Sequence, residues 1–268
     1  MNRSIIHPTA IVEDGSVIGD NVSVGAYSII EKGVKIGDNT VIHPHVIIRG
    51  NTTIGKDNKF FSFSVIGEVP QDLKYKNEES KLVIGDFNSI REHCTIHLGT
   101  EGGGMITEIG NNNLLMVNTH VAHDCRIGNN NVIANNATFA GHVVIEDNVH
   151  IGGLSAAHQF VRIGCGSMLG GISGLGEDLI PYGMAFAEKG RRSSMQGLNL
   201  VGLKRAGYDK DIMQDALNYY KEVFHSSKPG SLVDKGQKYR SKYKDNSVVQ
   251  EIADFLGTDT NRRFCSVR

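Results

Sequence analysis

SIIHPTAIVEDGSVIGDNVSVGAYSIIEKGVKIGDNTVIHPHVII, residues 4–48, places an apolar residue at every sixth position: Ile6, Val12, Ile18, Val24, Ile30, Ile36, Ile42 and Ile48. The beat continues through Ile54, Phe60 and Ile66, then returns in the same phase at Ile84, Ile90 and Ile96. It slips by one residue and runs again from Ile109 and Leu115 to Leu169 and Leu175, with Ala157 its weakest member. In a chain that is 40% hydrophobic, the first eleven hits would arise by chance roughly four times in 10⁵, so the beat is structural. A period of six matches neither the helix nor the simple strand. It predicts a hexapeptide β-helix, a solenoid of short parallel strands.

A second beat runs two residues ahead of the first. Ser4, Ala10, Ser16, Val22, Ser28, Val34 and Thr40 are small, as are Cys94, Thr107, Asn113, Thr119 and Cys125 later; Leu82 is the exception. One large and one small inward slot per hexad would fill a narrow triangular prism. Gly followed by Asp or Asn, as in Gly19-Asp20-Asn21 and Gly37-Asp38-Asn39, suits its corners. Three hexads make a coil, and stacked coils rise about 4.8 Å each. The reading is mainly β: a β-helical prism over residues 1–185, and a helical domain over 186–268.

The tail is read from its spacing. Met195–Arg205, Asp211–Phe224, Ser231–Tyr243 and Val248–Leu256 space apolar residues at three and four, predicting amphipathic helices that cap the open end of the prism. Net charge is −1 overall, which gives no nucleic-acid signal, yet residues 188–268 hold 16 basic and 10 acidic side chains. A basic tail suits an acidic partner or is simply a solvated helical surface. Met1–Ala10 lacks a basic region followed by an apolar core, no apolar run approaches a membrane span, and the four cysteines form no CxxC. A reducing cytoplasm fits best, with Cys94 and Cys125 as small buried residues.

Two segments break the beat. Residues 67–82 (GEVPQDLKYKNEESKL) separate hits that stand three hexads apart, as though one coil bulged outward; residues 97–108 contain Gly102-Gly103-Gly104. Excursions from a solenoid usually share one face, often the binding face.

The hexad frame also sorts the histidines. His97, His120, His123, His142 and His158 fall outside the inward slots and are expected to point outward. The step from His123 to His142 is one residue longer than three hexads, and the step from His142 to His158 two shorter. Both lie near one coil, so the three are expected to stack along one edge, covered by a neighbouring subunit. Such a stripe could be a general base, worth about 10²–10⁴-fold, or a three-histidine metal site as in carbonic anhydrases built on this prism. The uneven spacing and the long helical tail favour the base, and no metal or cofactor is expected.

Several strings are more specific. Asn118-Thr119-His120-Val121-Ala122-His123-Asp124-Cys125 resembles the catalytic segment of the UDP-N-acetylglucosamine O-acyltransferases, the first enzymes of lipid A synthesis. Gln71-Asp72-Leu73-Lys74-Tyr75, Ala134-Asn135-Asn136-Ala137, Ala140-Gly141-His142, His158-Gln159-Phe160 and Gly202-Leu203-Lys204-Arg205 match the same family in order. The resemblance implies a left-handed prism, against the usual crossover hand, and a cytoplasmic homotrimer with sites between subunits. It implies that His123 deprotonates the sugar 3-hydroxyl while Asp124 holds the imidazole. That hydroxyl would attack a 3-hydroxyacyl thioester on acyl carrier protein, with the Gly141 N–H at the oxyanion. Gln71 and Asp72 would contact sugar and acyl hydroxyl. Lys74, His97, His120, His142, His158 and Gln159 would line the cleft; Asn199 and Arg205 would meet the phosphates. Gly171 would leave the acyl groove open for a long chain. Ala206, Arg192 and Leu98 depart from the family pattern and bear on nucleotide affinity and acyl selectivity. The related N-acyltransferases carry an extra N-terminal domain, for which hexads beginning by Ile6 leave no room. A non-catalytic solenoid scaffold is the non-enzyme alternative, and a 3-amino acceptor would suit the same base.

Overall fold

The computed structural model describes residues 4–187, 192–227, 229–258 and 262–267. Among these, strands mostly two residues long form three sheets of 11, 9 and 8 strands, each strand hydrogen-bonded to the third one along the chain except at the end of the 11-stranded sheet. Ile5 pairs with Ser23, Ser23 with Val41 and Leu114 with Val132, a register of three hexads. The coils wind as a left-handed parallel β-helix.

Both beats fill its interior. Ile30, Ile42, Ile48, Phe60 and Ile66 occupy the large slots, and Val22, Ser28, Val34, Thr40 and Val46 the small ones; all are buried. Leu82 is also fully buried. Several buried asparagines in the small slots bond vertically: Asn58 Oδ1 accepts from Asn88 N at 2.9 Å, and Asn88 Oδ1 from Asn113 N at 2.9 Å. Asn113 Oδ1 then accepts from Asn131 N at 2.9 Å. Each such bond removes the desolvation penalty of a buried amide. The first coil, with nothing beneath it, leaves Ile5 and Ile6 exposed.

Register accounts for the two breaks. Ile84 pairs with Ile54, five hexads back instead of three, so the first excursion adds two hexads. Ile109 pairs with Ile84, four hexads and one residue back, so the second adds one hexad and one residue. The first therefore does not displace a whole coil outward; its two added hexads preserve the phase. The odd residue of the second produces the slip. The strands run on to Glu68 and His97 and restart at Lys81 and Ile106, so the loops themselves are 69–80 and 98–105. Both leave the 9-stranded sheet and rejoin the 8-stranded sheet, on consecutive coils at the same corner.

The tail differs from expectation in its first segment. Ser194–Leu198 is a strand, antiparallel to Gly183–Phe186 at the end of the 11-stranded sheet. Gly197 at φ 135° cannot continue a helix, and pairing an otherwise open sheet edge outweighs helical spacing. Helices then follow: α1 (Leu200–Arg205), α2 (Lys210–Phe224), α3 (Leu232–Arg240, extended by a 3-10 turn to Tyr243) and α4 (Ser247–Gly257). Asp209, Ser231 and Asn246 cap the last three through side-chain oxygens. Beyond α4 the chain returns to the prism. Phe264 bridges Asp178, whose buried carboxylate meets Arg162 at 2.7 Å and Arg262 at 3.2 Å.

Candidate active site

The corner between the 9- and 8-stranded sheets gathers His123, Asp124 and His142. Asp124, His142 and Phe160 occupy it on successive coils with φ near 60°, a left-handed turn conformation that throws their side chains outward. His142 N donates to His123 O and Phe160 N to Gly141 O, which sets the vertical order. His123 Nδ1 lies 2.7 Å from Asp124 Oδ2, and His142 Nδ1 lies 3.8 Å from the same oxygen. A carboxylate at Nδ1 fixes the proton there and leaves the Nε2 lone pair as an acceptor.

The stripe differs from the expected one. His142 stacks on Phe160, centroids 4.2 Å apart and 5° from parallel, and meets His123 edge-on at 5.1 Å. His158 precedes the turn and stays outside the stack, exposed with Gln159. The third member of the cluster is Asp124, so three stacked histidines do not form. Nor do all outward histidines face solvent: His123 is 5% and His97 3% exposed. The second excursion packs on Asp124, the neighbour of His123.

Thr100 in that excursion donates its N–H to Asp124 Oδ1 at 2.8 Å and its hydroxyl to Oδ2 at 2.5 Å. Asp124 N donates to Thr107 Oγ1 at 2.8 Å. Gly103 packs on the carboxylate so closely that an added Cβ would overlap Asp124 Cγ and both oxygens. Burial pulls the Asp124 carboxyl upward, but the hydrogen bonds from His123 and Thr100 outweigh it and hold it below the usual range. Thr100, Gly103 and Thr107 were not among the sequence candidates. Their signal was present, since counting sheets places this excursion one coil before Asp124 at the same corner.

Gly141 closes the other side of the ring, where an added Cβ would collide with His123 Cε1 and sit 2.6 Å from Nε2. Its N–H donates to no backbone carbonyl among the described residues. His142 is lowered by burial and by the charge of His123, against the opposing pull of Asp124. The charges of Asp72 and Lys74 in the first excursion also act on His142, the first raising and the second lowering it. Gln71 and Lys74 are exposed and Asp72 is half-buried. His97 and His120 flank the site on neighbouring strands, edge to face at 4.9 Å. His120 Nδ1 lies 2.7 Å from Thr95 Oγ1, and burial lowers its pKa. Burial, then the neighbouring His120, pushes His97 down to about 4. The same burial raises Cys94 to about 11 and Cys125 to about 12, so neither is a thiolate nucleophile near neutrality.

Three candidates lie elsewhere on the chain. Gly171 sits at the corner between the 11- and 9-stranded sheets, exposed, where an added Cβ meets only Gly153, nearest at 3.3 Å. Asn199 caps α1 and donates to Gly166 O at 3.0 Å, at the third corner. Arg205, exposed, lines a cavity of about 670 Å³ there with Asn199, His150 and Tyr208. The candidates thus occupy all three corners of one prism.

A left-handed hexapeptide prism bearing a buried histidine–aspartate pair defines the chain as a transferase of the hexapeptide-repeat class. Residues 106–141 match the bacterial transferase hexapeptide model and residues 178–265 the model described as UDP-N-acetylglucosamine O-acyltransferase, domain 2. The acyl-[acyl-carrier-protein]–UDP-N-acetylglucosamine O-acyltransferase of Aliarcobacter butzleri is 50% identical over 94% of each chain. That of Campylobacter concisus is 41% identical over 94% of this chain and 95% of its own. The solved UDP-N-acetylglucosamine O-acyltransferase of Moraxella catarrhalis superposes with TM-score 0.89 at 43% identity, covering 98% of this chain and 99% of that one. The chain belongs to the acyl-[acyl-carrier-protein]–UDP-N-acetylglucosamine O-acyltransferase family and is an acyltransferase.

Proposed function

We propose that the protein moves a 3-hydroxyacyl chain from acyl carrier protein to the 3-hydroxyl of UDP-N-acetylglucosamine, opening lipid A synthesis in the cytoplasm, with His123 as general base. The observation that carries this reading is the His123 Nδ1–Asp124 Oδ2 contact of 2.7 Å, sealed by Thr100 and Gly103 on one side and Gly141 on the other. His123 Nε2 takes the sugar hydroxyl proton as the oxygen attacks the thioester carbonyl. Asp124, held anionic, stabilises the imidazolium. The tetrahedral oxyanion accepts from Gly141 N–H, a donor whose loss typically costs about 10²–10³ in rate. Collapse expels the carrier thiolate, which recovers the proton from His123. No acyl-enzyme intermediate is needed.

Gln71 and Asp72 contact the sugar and the acyl hydroxyl, and Lys74, His97, His120, His142, His158 and Gln159 line the cleft. Asn199 commits its amide oxygen to Gly202 N and one N–H to Gly166 O, keeping a second N–H for a phosphate. Arg205 supplies the guanidinium fork. Gly171 leaves the end of the acyl groove open. Because these groups divide among three corners, the working assembly is a homotrimer whose sites combine the His123 corner of one subunit with the other corners of its neighbours. The basic tail receives the acidic carrier.

Product mass spectrometry tests this. Purified protein is incubated with a ladder of 3-hydroxyacyl carrier proteins and either UDP-N-acetylglucosamine or its 3-amino analogue, beside His123→Ala. A 3-O-acyl product that vanishes in the variant is the expected result. Product from the amino sugar alone would reassign the acceptor. No product from intact trimers would favour a scaffold.

A further inference from the structure

Metal ligation needs converging lone pairs, and one place on the chain offers them. Among the described residues, His123, Asp124 and His142 form the one group in which three ligating atoms, one from each side chain, all lie within 4.8 Å of one another. Two of the separations are known atom by atom. Asp124 Oδ2 is 2.7 Å from His123 Nδ1 and 3.8 Å from His142 Nδ1. Zinc–nitrogen and zinc–oxygen bonds of about 2.0–2.2 Å in a tetrahedron put neighbouring ligand atoms about 3.3–3.5 Å apart. The first must widen by about 0.6–0.8 Å and the second shorten by about 0.3–0.5 Å to reach that value, small rotations of two rings hinged at Cβ.

The surroundings also fit an ion of this kind. Thr100 fixes both Asp124 oxygens, the outer-shell hydrogen bonding that orients ligating carboxylates. Phe160 stacks on His142 and limits its ring orientation. Two imidazoles and one carboxylate are the ligands of open zinc sites, which keep a water in the fourth position.

We propose that this cluster is an inhibitory site for Zn²⁺ or a similar divalent transition ion, bound by His123 Nδ1, His142 Nδ1 and Asp124 Oδ2 with one water. The proton balance gives inhibition without blocking the substrate cleft. His123 Nδ1 must surrender its proton to ligate, and the ring keeps one proton by passing it to Nε2. The nitrogen that accepts from the sugar hydroxyl is then occupied. Metal and base function exclude one another through the tautomer of a single ring, and no net proton is released. This inhibition rests on His123 being the base, whereas the binding itself does not.

The test separates the two. Zn²⁺ is titrated calorimetrically into metal-free, full-length protein, and Co²⁺ binding is followed by its visible absorption. One ion per chain with the intense bands of four-coordinate cobalt is expected, weakened about tenfold or more by His142→Ala and by the milder His142→Gln. Melting curves establish that both variants are folded. In turnover assays Zn²⁺ lowers kcat without raising KM for the sugar nucleotide, and a chelator restores it. Absence of binding, or binding equal in both His142 variants to that of wild type, overturns the site. Binding with unchanged turnover keeps the site and overturns the tautomer mechanism, and with it the role of His123 as base.

Discussion

Gly141 and Gly103 press on the His123–Asp124 pair from opposite sides, and neither contact leaves room for a methyl group. Aim is what a general base needs, because misplacement by about 1 Å can cost about 10² in rate. Gly141→Ala is therefore expected to lower kcat by about 10² or more, with an unfolding temperature close to that of wild type; an unchanged kcat would remove Gly141 from the site. Thr100 acts one contact further out. Thr100→Val keeps the shape and the backbone N–H donor but loses the hydroxyl that meets Asp124 Oδ2. A hydrogen bond to a charged group is worth about 1.5–3 kcal/mol, so kcat is expected to fall about tenfold to a hundredfold with KM steady. Thr100→Ser should restore most of the loss. A loss in the Ser variant with none in the Val variant would mean that the methyl, and not the hydroxyl, matters.

Both excursions depart from the same corner on consecutive coils, one adding two hexads and the other a hexad and one residue. This places two loops over one set of side chains. Their location is a counting result; their contacts are not, because residues 98–105 repeat nothing. The corner holding Gly171 is simpler. An added side chain there projects past Gly153 into open space. Gly171→Met is expected to shift a competition assay toward shorter acyl donors, and unchanged preference would end its role as a length gauge. Where α4 meets the prism, Glu146 is raised by burial first, with Glu251 and Asp147 adding to it and Arg162 and the Cys165 N–H opposing. A carboxyl with a raised folded pKa contributes most below its unfolded value and loses that contribution as pH rises through the folded one. Glu146→Gln can still accept from Cys165 N and does not ionise. It is expected to melt higher than wild type at pH 7, the difference shrinking as pH falls through the raised folded value and vanishing below about 4.5. A constant difference across that range would count against ionisation as the cause.

One prism presents His123, Gly171 and Arg205 at three separate corners, so no single chain assembles the proposed site. If neighbouring subunits complete it, two inactive variants should rescue one another. His123→Ala and Arg205→Ala, each silent alone at low sugar nucleotide, are expected to regain about a quarter of wild-type sites when co-expressed in equal amounts. Each mixed trimer then holds one interface with both groups intact. Mixed trimers that stay silent would place both residues in one subunit's site. No helix among the described residues is long and apolar enough to cross a membrane.

The hexad beat by itself determined the prism, its two inward slots, its corners and the places where it breaks, because a period shared by successive coils is a one-dimensional property of the chain. The α2, α3 and α4 helices were legible for the same reason, while Met195–Leu198 was not: helical spacing there yields to an unpaired sheet edge and Gly197. His123 and Asp124 could be read from sequence, and the resemblance named their roles. Tertiary structure decided that His142 stacks on Phe160 and not beneath His158, that His97 and His123 are covered, and that Thr100 and Gly103 hold Asp124. Those contacts depend on how aperiodic loops fold over a corner in three dimensions. Packing of that kind leaves no period for a sequence to display.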